Sequence, residues 1–243
     1  MRNRTRWLLP LQSLWLLMAG VAVLGFRTSL LPWRPALVLF AVAVGAVLST
    51  GFFSLLLLFL RMRAGRWDGG RPCLLATALS LPFLIGVLLM GIQGANAPPI
   101  NDISTDTDNP PVFRVAKQLR RPGDNSVDYP GKTAADLQHA AYPDMVPLIV
   151  PMTPAEAFAL SRATAEKLGW RITGQAPSEG VIEAVERSLL FGFIDDIVIR
   201  IAATGSGSRI DLRSASRSGI GDLGVNARRI GEFRQAFDNI RPK

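Results

Sequence analysis

The chain has 243 residues, is 49% hydrophobic and carries a formal net charge of +8 at pH 7. Residues 1–95 hold nine arginines, one acid (Asp68) and no lysine, whereas residues 96–243 hold eighteen basic and eighteen acidic residues. The excess charge therefore belongs to a mostly apolar stretch and the remainder is electroneutral, which excludes the basic surface of a nucleic-acid binder.

Three runs without a charged residue, 8–26, 36–60 and 73–95, have 19, 25 and 23 residues. About 20 apolar residues cross a hydrocarbon core of roughly 30 Å, so each run is expected to span a membrane. The first follows the basic leader Arg2, Arg4 and Arg6 but exceeds the apolar core of a signal peptide, about 7–15 residues. Leu24-Gly25-Phe26-Arg27 also lacks small-x-small cleavage chemistry, so a retained helix is expected. Arg61, Arg63, Arg66 and Arg71 lie between runs two and three, and only Arg27 and Arg34 lie between runs one and two. Positive loops stay cytoplasmic. The reading is a multi-pass bacterial inner-membrane protein with its N-terminus cytoplasmic and its C-terminal half periplasmic. Trp7, Trp33 and Trp67 stand at run ends, where indoles favour the headgroup layer. Ala41, Gly45 and Ser49 form a small-residue stripe expected to pack against the chain's own helices, the alternative being a dimer contact. Pro82 is expected to kink the third helix.

Residues 96–145 read as an extended connector, because Pro98-Pro99, Pro110-Pro111 and five Asp/Asn side chains within 101–109 disfavour helix. Asp102, Asp106 and Asp108 lack the glycine and closing glutamate of a calcium loop, so no metal is expected. Residues 112–145 are expected to continue as loop, punctuated by Pro122-Gly123, Pro130-Gly131 and Tyr142-Pro143.

From residue 146 an α+β domain is expected. A short strand, 146–150, precedes the capping box Thr153-Pro154-Ala155-Glu156, which opens a helix ending near Leu168 at Gly169. Phe158, Ser161, Ala165 and Leu168 mark that helix's inner face. Strands are expected at 170–175, 180–188, 193–203 and 209–216, the last two joined by a hairpin at Gly205-Ser206-Gly207-Ser208. Pairing Gly205 with Ser208 sets Ile201 against Leu212, Ile199 against Ser214, Asp196 against Arg217 and Arg200 against Arg213. Ile197, Ile199, Ile201, Ile210 and Leu212 share the core side. A final helix over 223–240 presents Ile230, Phe233, Phe237 and Ile240 at helical spacing. The fold is three transmembrane helices followed by an antiparallel sheet of about five strands packed by two helices.

Gly219-Ile220-Gly221-Asp222-Leu223-Gly224 matches a dinucleotide fingerprint, but no parallel strand can follow, so its glycines are read as a tight sheet-to-helix turn. Ser214, Ser216, Arg217 and the start of the last helix, capped by Asp222 or Asn226 and with Arg213 on the same strand, can converge on an anion. Alternatively, Arg217 pairs with Asp196. Adjacent Asp195 and Asp196 point to opposite sheet faces and cannot form a facing acid/base pair. Asp195 shares the core face and needs a partner, for which Ser216 or Ser218 is nearest. Asp195, Asp196, Ser214 and Ser216 are the available catalytic candidates. His139 and Cys73 are each the sole residue of their type, too few for zinc. Neither a cofactor nor a metal is expected.

Phe193-Ile194-Asp195-Asp196, Arg213-Ser214-Ala215-Ser216-Arg217-Ser218-Gly219 and Asp222-Leu223-Gly224-Val225-Asn226-Ala227-Arg228-Arg229-Ile230 carry a resemblance. So do Asn101-Asp102-Ile103-Ser104-Thr105-Asp106 and Tyr142-Pro143-Asp144. Over about residues 99–240 the chain resembles the bacterial domain-of-unknown-function family numbered 1499. The resemblance implies a bacterial envelope protein and brings no reaction or ligand. The leading expectation is a non-enzymatic membrane protein whose exported domain binds a lipid, small ligand or envelope partner. The alternatives are a membrane-anchored hydrolase-like or lipid-modifying enzyme, and an assembly subunit that works through its helices.

Overall fold

A computed structural model describes residues 5–241; Arg2, Arg4 and Lys243 lie outside them. The chain forms two compact units, Met1–Ile92 and Gln93–Lys243.

The first unit is helical: α1 (Leu8–Arg27), α2 (Trp33–Arg63) and α3 (Gly70–Gly94). All three are long and apolar enough to cross a membrane, with mean hydropathies of 1.8, 2.3 and 2.4, which suggests membrane anchoring. Their outward surfaces carry Leu17, Leu24, Val38, Phe52, Leu55 and Ile85, all exposed. The helices meet through small and polar groups. Gln12 Nε2 donates to the Val47 carbonyl at 3.4 Å. A Cβ on Gly51 would lie 2.0 Å from Ser80 Oγ, so α2 and α3 approach closely there. The buried stripe of α2 runs through Ala43, Val47, Gly51, Ser54 and Leu58. Ala41, Gly45 and Ser49, expected on that contact, face outward instead: small side chains permit close packing, but the seam follows the residues that meet α1 and α3. Pro82 lies inside a continuous α3. Thr5 Oγ1 donates to the Gly69 carbonyl at 3.0 Å, which brings the chain before α1 and the α2–α3 connection to one end of the unit.

The second unit is α+β. Its six strands are β1 (Asp102–Ser104), β2 (Leu148–Val150), β3 (Arg171–Ala176), β4 (Val181–Arg187), β5 (Ile194–Thr204) and β6 (Gly207–Ser216). The antiparallel order is β1-β6-β5-β4-β3, with β2 also pairing with β6. β1 covers Arg213–Ala215 and β2 covers Ser208–Ile210, so the two short strands share one edge of β6. The segment expected as loop contains α4 (Val115–Leu119) and α5 (Lys132–Ala141). α6 (Pro154–Lys167) opens on the expected capping box, and α7 (Val225–Ile240) closes the fold.

The β5–β6 register differs from the expected one by two residues. Thr204 pairs with Gly207, leaving a two-residue turn, so Ile201 meets Ile210, Ile199 meets Leu212 and Arg200 meets Asp211. A shift of two keeps every side chain on its face, and it replaces an Arg200–Arg213 opposition with an Arg200–Asp211 pair. Like charges directly opposite are destabilising, which favours the shorter turn.

The helix-side face of the sheet packs Ile182, Ile197, Ile199, Ile201, Ile210 and Leu212 against α6 and α7. Trp170 and Phe233 stack there at 5.5 Å. The other face is covered by the strap, residues 105–131, whose Phe113 and Ala116 pack on Val198 and Ala215. Both faces of the central strands are therefore buried.

Between β3 and β4, Gly180 adopts a left-handed conformation with φ of 67°, and a Cβ there would lie 2.1 Å from the Ile201 carbonyl oxygen. Gly180→Ala is expected to destabilise the full chain by about 1–3 kcal/mol, measured by denaturant titration in mild detergent.

Candidate functional site

Strand alternation divides the polar side chains of β5 and β6 into two layers. On the helix side, Glu186 stands opposite Asp195, and Asp195 opposite Ser216. Arg229 of α7 reaches into this layer. Its Nη2 donates to Asp195 Oδ2 at 2.6 Å, its Nε to Glu186, and its Nη1 to Ser214 Oγ at 2.9 Å. Burial works against the charged guanidinium, but Asp195 and Glu186 outweigh it and hold the Arg229 pKa above its ordinary value. Ser214 Oγ donates to Asn226 Oδ1 at 2.6 Å. Asn226 Nδ2 in turn donates to Ser216 Oγ at 3.0 Å and to the Asn101 carbonyl at 2.9 Å.

The start of α7 is closed by its own chain. Asp222 Oδ1 accepts from the Gly224 N–H at 2.8 Å and Oδ2 from the Asn226 N–H at 2.7 Å. Burial pushes the Asp222 pKa up, and nearby Asp195 adds to the rise. Gly219 and Gly224 take positive φ of 97° and 78°, the tight turn expected of the glycine motif. Leu223 joins them at φ 55°, a strained conformation for a residue with a bulky side chain.

On the strap side, Arg213 Nε and Nη2 fork onto Asp102 Oδ1 and Oδ2 at 2.9 and 2.7 Å. The same guanidinium donates to the Pro111 carbonyl at 3.0 Å and the Val127 carbonyl at 2.8 Å. Its carbon lies 4.7 Å from the Phe113 ring centroid. Asp196 accepts from Arg217 Nη2 at 2.6 Å and from Arg120 Nε at 2.8 Å. Arg200 and Arg209 both reach Asp106 and Asp211. Glu183 accepts the N–H groups of Arg114, Val115 and Ala116 at 2.8–2.9 Å, so a strand carboxylate closes the start of α4.

The expected anion set is thus split. Ser214, Ser216 and Asn226 face the helices, whereas Arg213 and Arg217 face the strap and are taken by Asp102 and Asp196. Arg217 follows the ion-pair alternative, although Asp196 sits directly opposite Ala215 rather than Arg217. The partner of Asp195 is Arg229, and Ser216 serves Asn226. Asp102 and Asp106 serve arginines rather than a cation, Asp108 is exposed, and His139 Nε2 pairs with Thr107 Oγ1 at 3.0 Å. Sequence reasoning missed Arg120, Glu183 and Arg229; Arg120 and Arg229 lie 76 and 34 residues from the aspartates they bind. The available signal was the even balance of arginine and acid at strand positions that otherwise required burial.

A third feature lies at the end of the sheet where β4 passes to β5 and β6 ends. Leu189 is 96% exposed and Leu190 55%, in the β4–β5 loop; Ile220 is 76% and Leu223 46%, in the loop entering α7. Phe191 and Phe193 of the first loop stack at 5.4 Å. The Arg217 N–H donates to the Ile194 carbonyl at 3.1 Å, which joins the bases of the two loops.

Two outcomes follow. Asp196→Ala leaves Arg120 and Arg217 buried without counter-charge and is expected to cost about 3–5 kcal/mol, read from the denaturation midpoint of the full chain. Asp222 has a folded pKa above its unfolded one, so the native state holds its proton longer. Its contribution is full below about pH 4 and falls as pH rises toward the folded value. Across that window Asp222→Asn gains stability relative to the wild type, measured by denaturation at stepped pH.

A comparison with curated proteins finds no match. The family described as "Protein of unknown function (DUF1499)" matches residues 102–237. The match starts at the first residue of β1, runs through the strap and sheet, and stops within α7. It covers more than half of the chain and takes in both ion-paired layers, and on that basis the protein belongs to the DUF1499 family.

Proposed function

We propose that this is a non-enzymatic inner-membrane protein whose α+β domain lies on the periplasmic side and binds lipid through the apolar loops at the end of its sheet. The observation that carries the reading is the grouping of Leu189, Leu190, Ile220 and Leu223, all exposed, on two loops with a common base. Apolar tips beside a polar layer suit an amphiphile, with the acyl portion against the leucines and the polar portion toward Glu186 and Asp222.

The periplasmic placement rests on the arginines. Arg6 and the α2–α3 connection are on the cation-rich side, and an odd number of spans carries the following domain to the other side. The α+β domain itself supplies no charge excess to oppose export.

The test reconstitutes the full chain into vesicles of phosphatidylcholine bearing a photoreactive acyl chain. Crosslinks are expected in peptides covering 186–195 and 217–225 as well as in α1–α3, and they are expected to fall several-fold in Leu189→Asp/Ile220→Asp. Crosslinks confined to α1–α3 would overturn the lipid reading. A reporter active only outside the cytoplasm, fused after Lys243, is expected to be active; inactivity would overturn the periplasmic placement.

A further inference from the structure

The cation-rich end of the helical unit contains a cavity of about 500 Å³, lined by Arg6, Leu9, Trp67, Gly69, Arg71, Pro72 and Leu75. Its wall is held in place: Thr5 donates to the Gly69 carbonyl at 3.0 Å, and the Gly70 N–H donates to the Trp67 carbonyl at 3.0 Å. Asp68 is the sole acid among residues 1–95, and it lies 3.9 Å from Arg61, which also donates to its carbonyl. Among the described residues, neither Arg6 nor Arg71 has a carboxylate partner. The lining of this open cavity thus combines two guanidiniums without a carboxylate partner among the described residues, an indole, and leucine and proline side chains.

We infer that this cavity binds a phosphate group at the membrane surface, presented by an anionic phospholipid headgroup or as free phosphate. Guanidinium forks match phosphate oxygens in geometry and charge. Trp67 stands at the α2–α3 connection, where an indole fits the headgroup layer. Leu9, Pro72 and Leu75 offer an apolar wall to the first carbons of a glycerolipid, which free phosphate would leave unused. Basic cavities between membrane helices hold acidic headgroups for the same reasons. The inference rests on the membrane anchoring of α1–α3 and is independent of the lipid contact proposed for the loop tips.

The experiment is native mass spectrometry of the full chain released from vesicles of phosphatidylcholine containing a minor fraction of phosphatidylglycerol, which gives the bilayer a negative surface. The wild type is expected to retain phosphatidylglycerol in preference to phosphatidylcholine, and Arg6→Gln/Arg71→Gln to lose roughly tenfold of that retention. Arg63→Gln/Arg66→Gln removes equal charge from the same end outside the cavity and is expected to keep it. Equal loss in both double variants, or no headgroup preference in the wild type, overturns the site. Retention of inorganic phosphate from phosphatidylcholine-only vesicles, lost in Arg6→Gln/Arg71→Gln, supports the site with free phosphate as its ligand. Alkaline carbonate extraction separates the two levels: release of the wild type from membranes overturns the anchoring, whereas a membrane-retained chain without headgroup preference overturns the cavity alone.

Discussion

The α+β unit depends on placing ion pairs on both sides of a sheet that has no solvent-facing side at its centre. A strand carries alternate residues to opposite faces, and β5 and β6 alternate apolar with charged or hydroxyl residues. Exposing the second face to water would be the simple solution. The strap covers it instead, so Arg213, Arg217, Asp102 and Asp196 are almost entirely withdrawn from solvent. Each withdrawn ion costs several kcal/mol unless its partner is in place. Arg213–Asp102 and Arg217–Asp196 pair within the sheet and its flanking residue, and the strap adds Arg120 to Asp196 and Asp106 to Arg200 and Arg209. A strap that reads as loop is thereby tied to the sheet by ion pairs.

That pairing also explains the residues through which the chain resembles its family. Asp102 and Asp106 hold arginines of β5 and β6. Thr105 exchanges hydrogen bonds with Leu212 beyond the end of β1. Asp195, Asp196, Asn226 and Arg229 complete the network from the opposite end of the sequence. Tyr142 lies beside Gly224, and the Asp144 carbonyl accepts from Arg234 at 2.9 Å. The separated motifs are the two halves of a closure.

The three apolar helices, α6, α7, the β5–β6 pairing and the core face were legible because each obeys a period that a single segment displays, whereas α4 and α5 were not. α6 was readable to its terminal residues because Thr153 and Glu156 satisfy each other within one turn. The strap was not, since it has no apolar period and its order comes from residues 65 to 107 positions away. The hairpin register was recoverable in principle: an Arg200–Arg213 opposition against an available Arg200–Asp211 pair already favoured the two-residue turn. The residues of the expected anion set fall on two layers for a related reason. Ser214 and Ser216 differ by an odd number of positions from Arg217, so a regular strand cannot aim them at one ligand.

The same parity governs what chemistry these side chains can perform. Ser214 donates to the amide oxygen of Asn226, which is not a base, and accepts a hydrogen bond from Arg229, so its hydroxyl is oriented rather than activated. Asp195 and Asp196 face opposite layers, each neutralised by arginine. The charges of the two sheet layers are paired with one another, and four apolar side chains stand outward on the loops at the end of the sheet. In the helical unit the reverse holds: the apolar residues form the span, and the arginines at its cation-rich end outnumber the acids available to them.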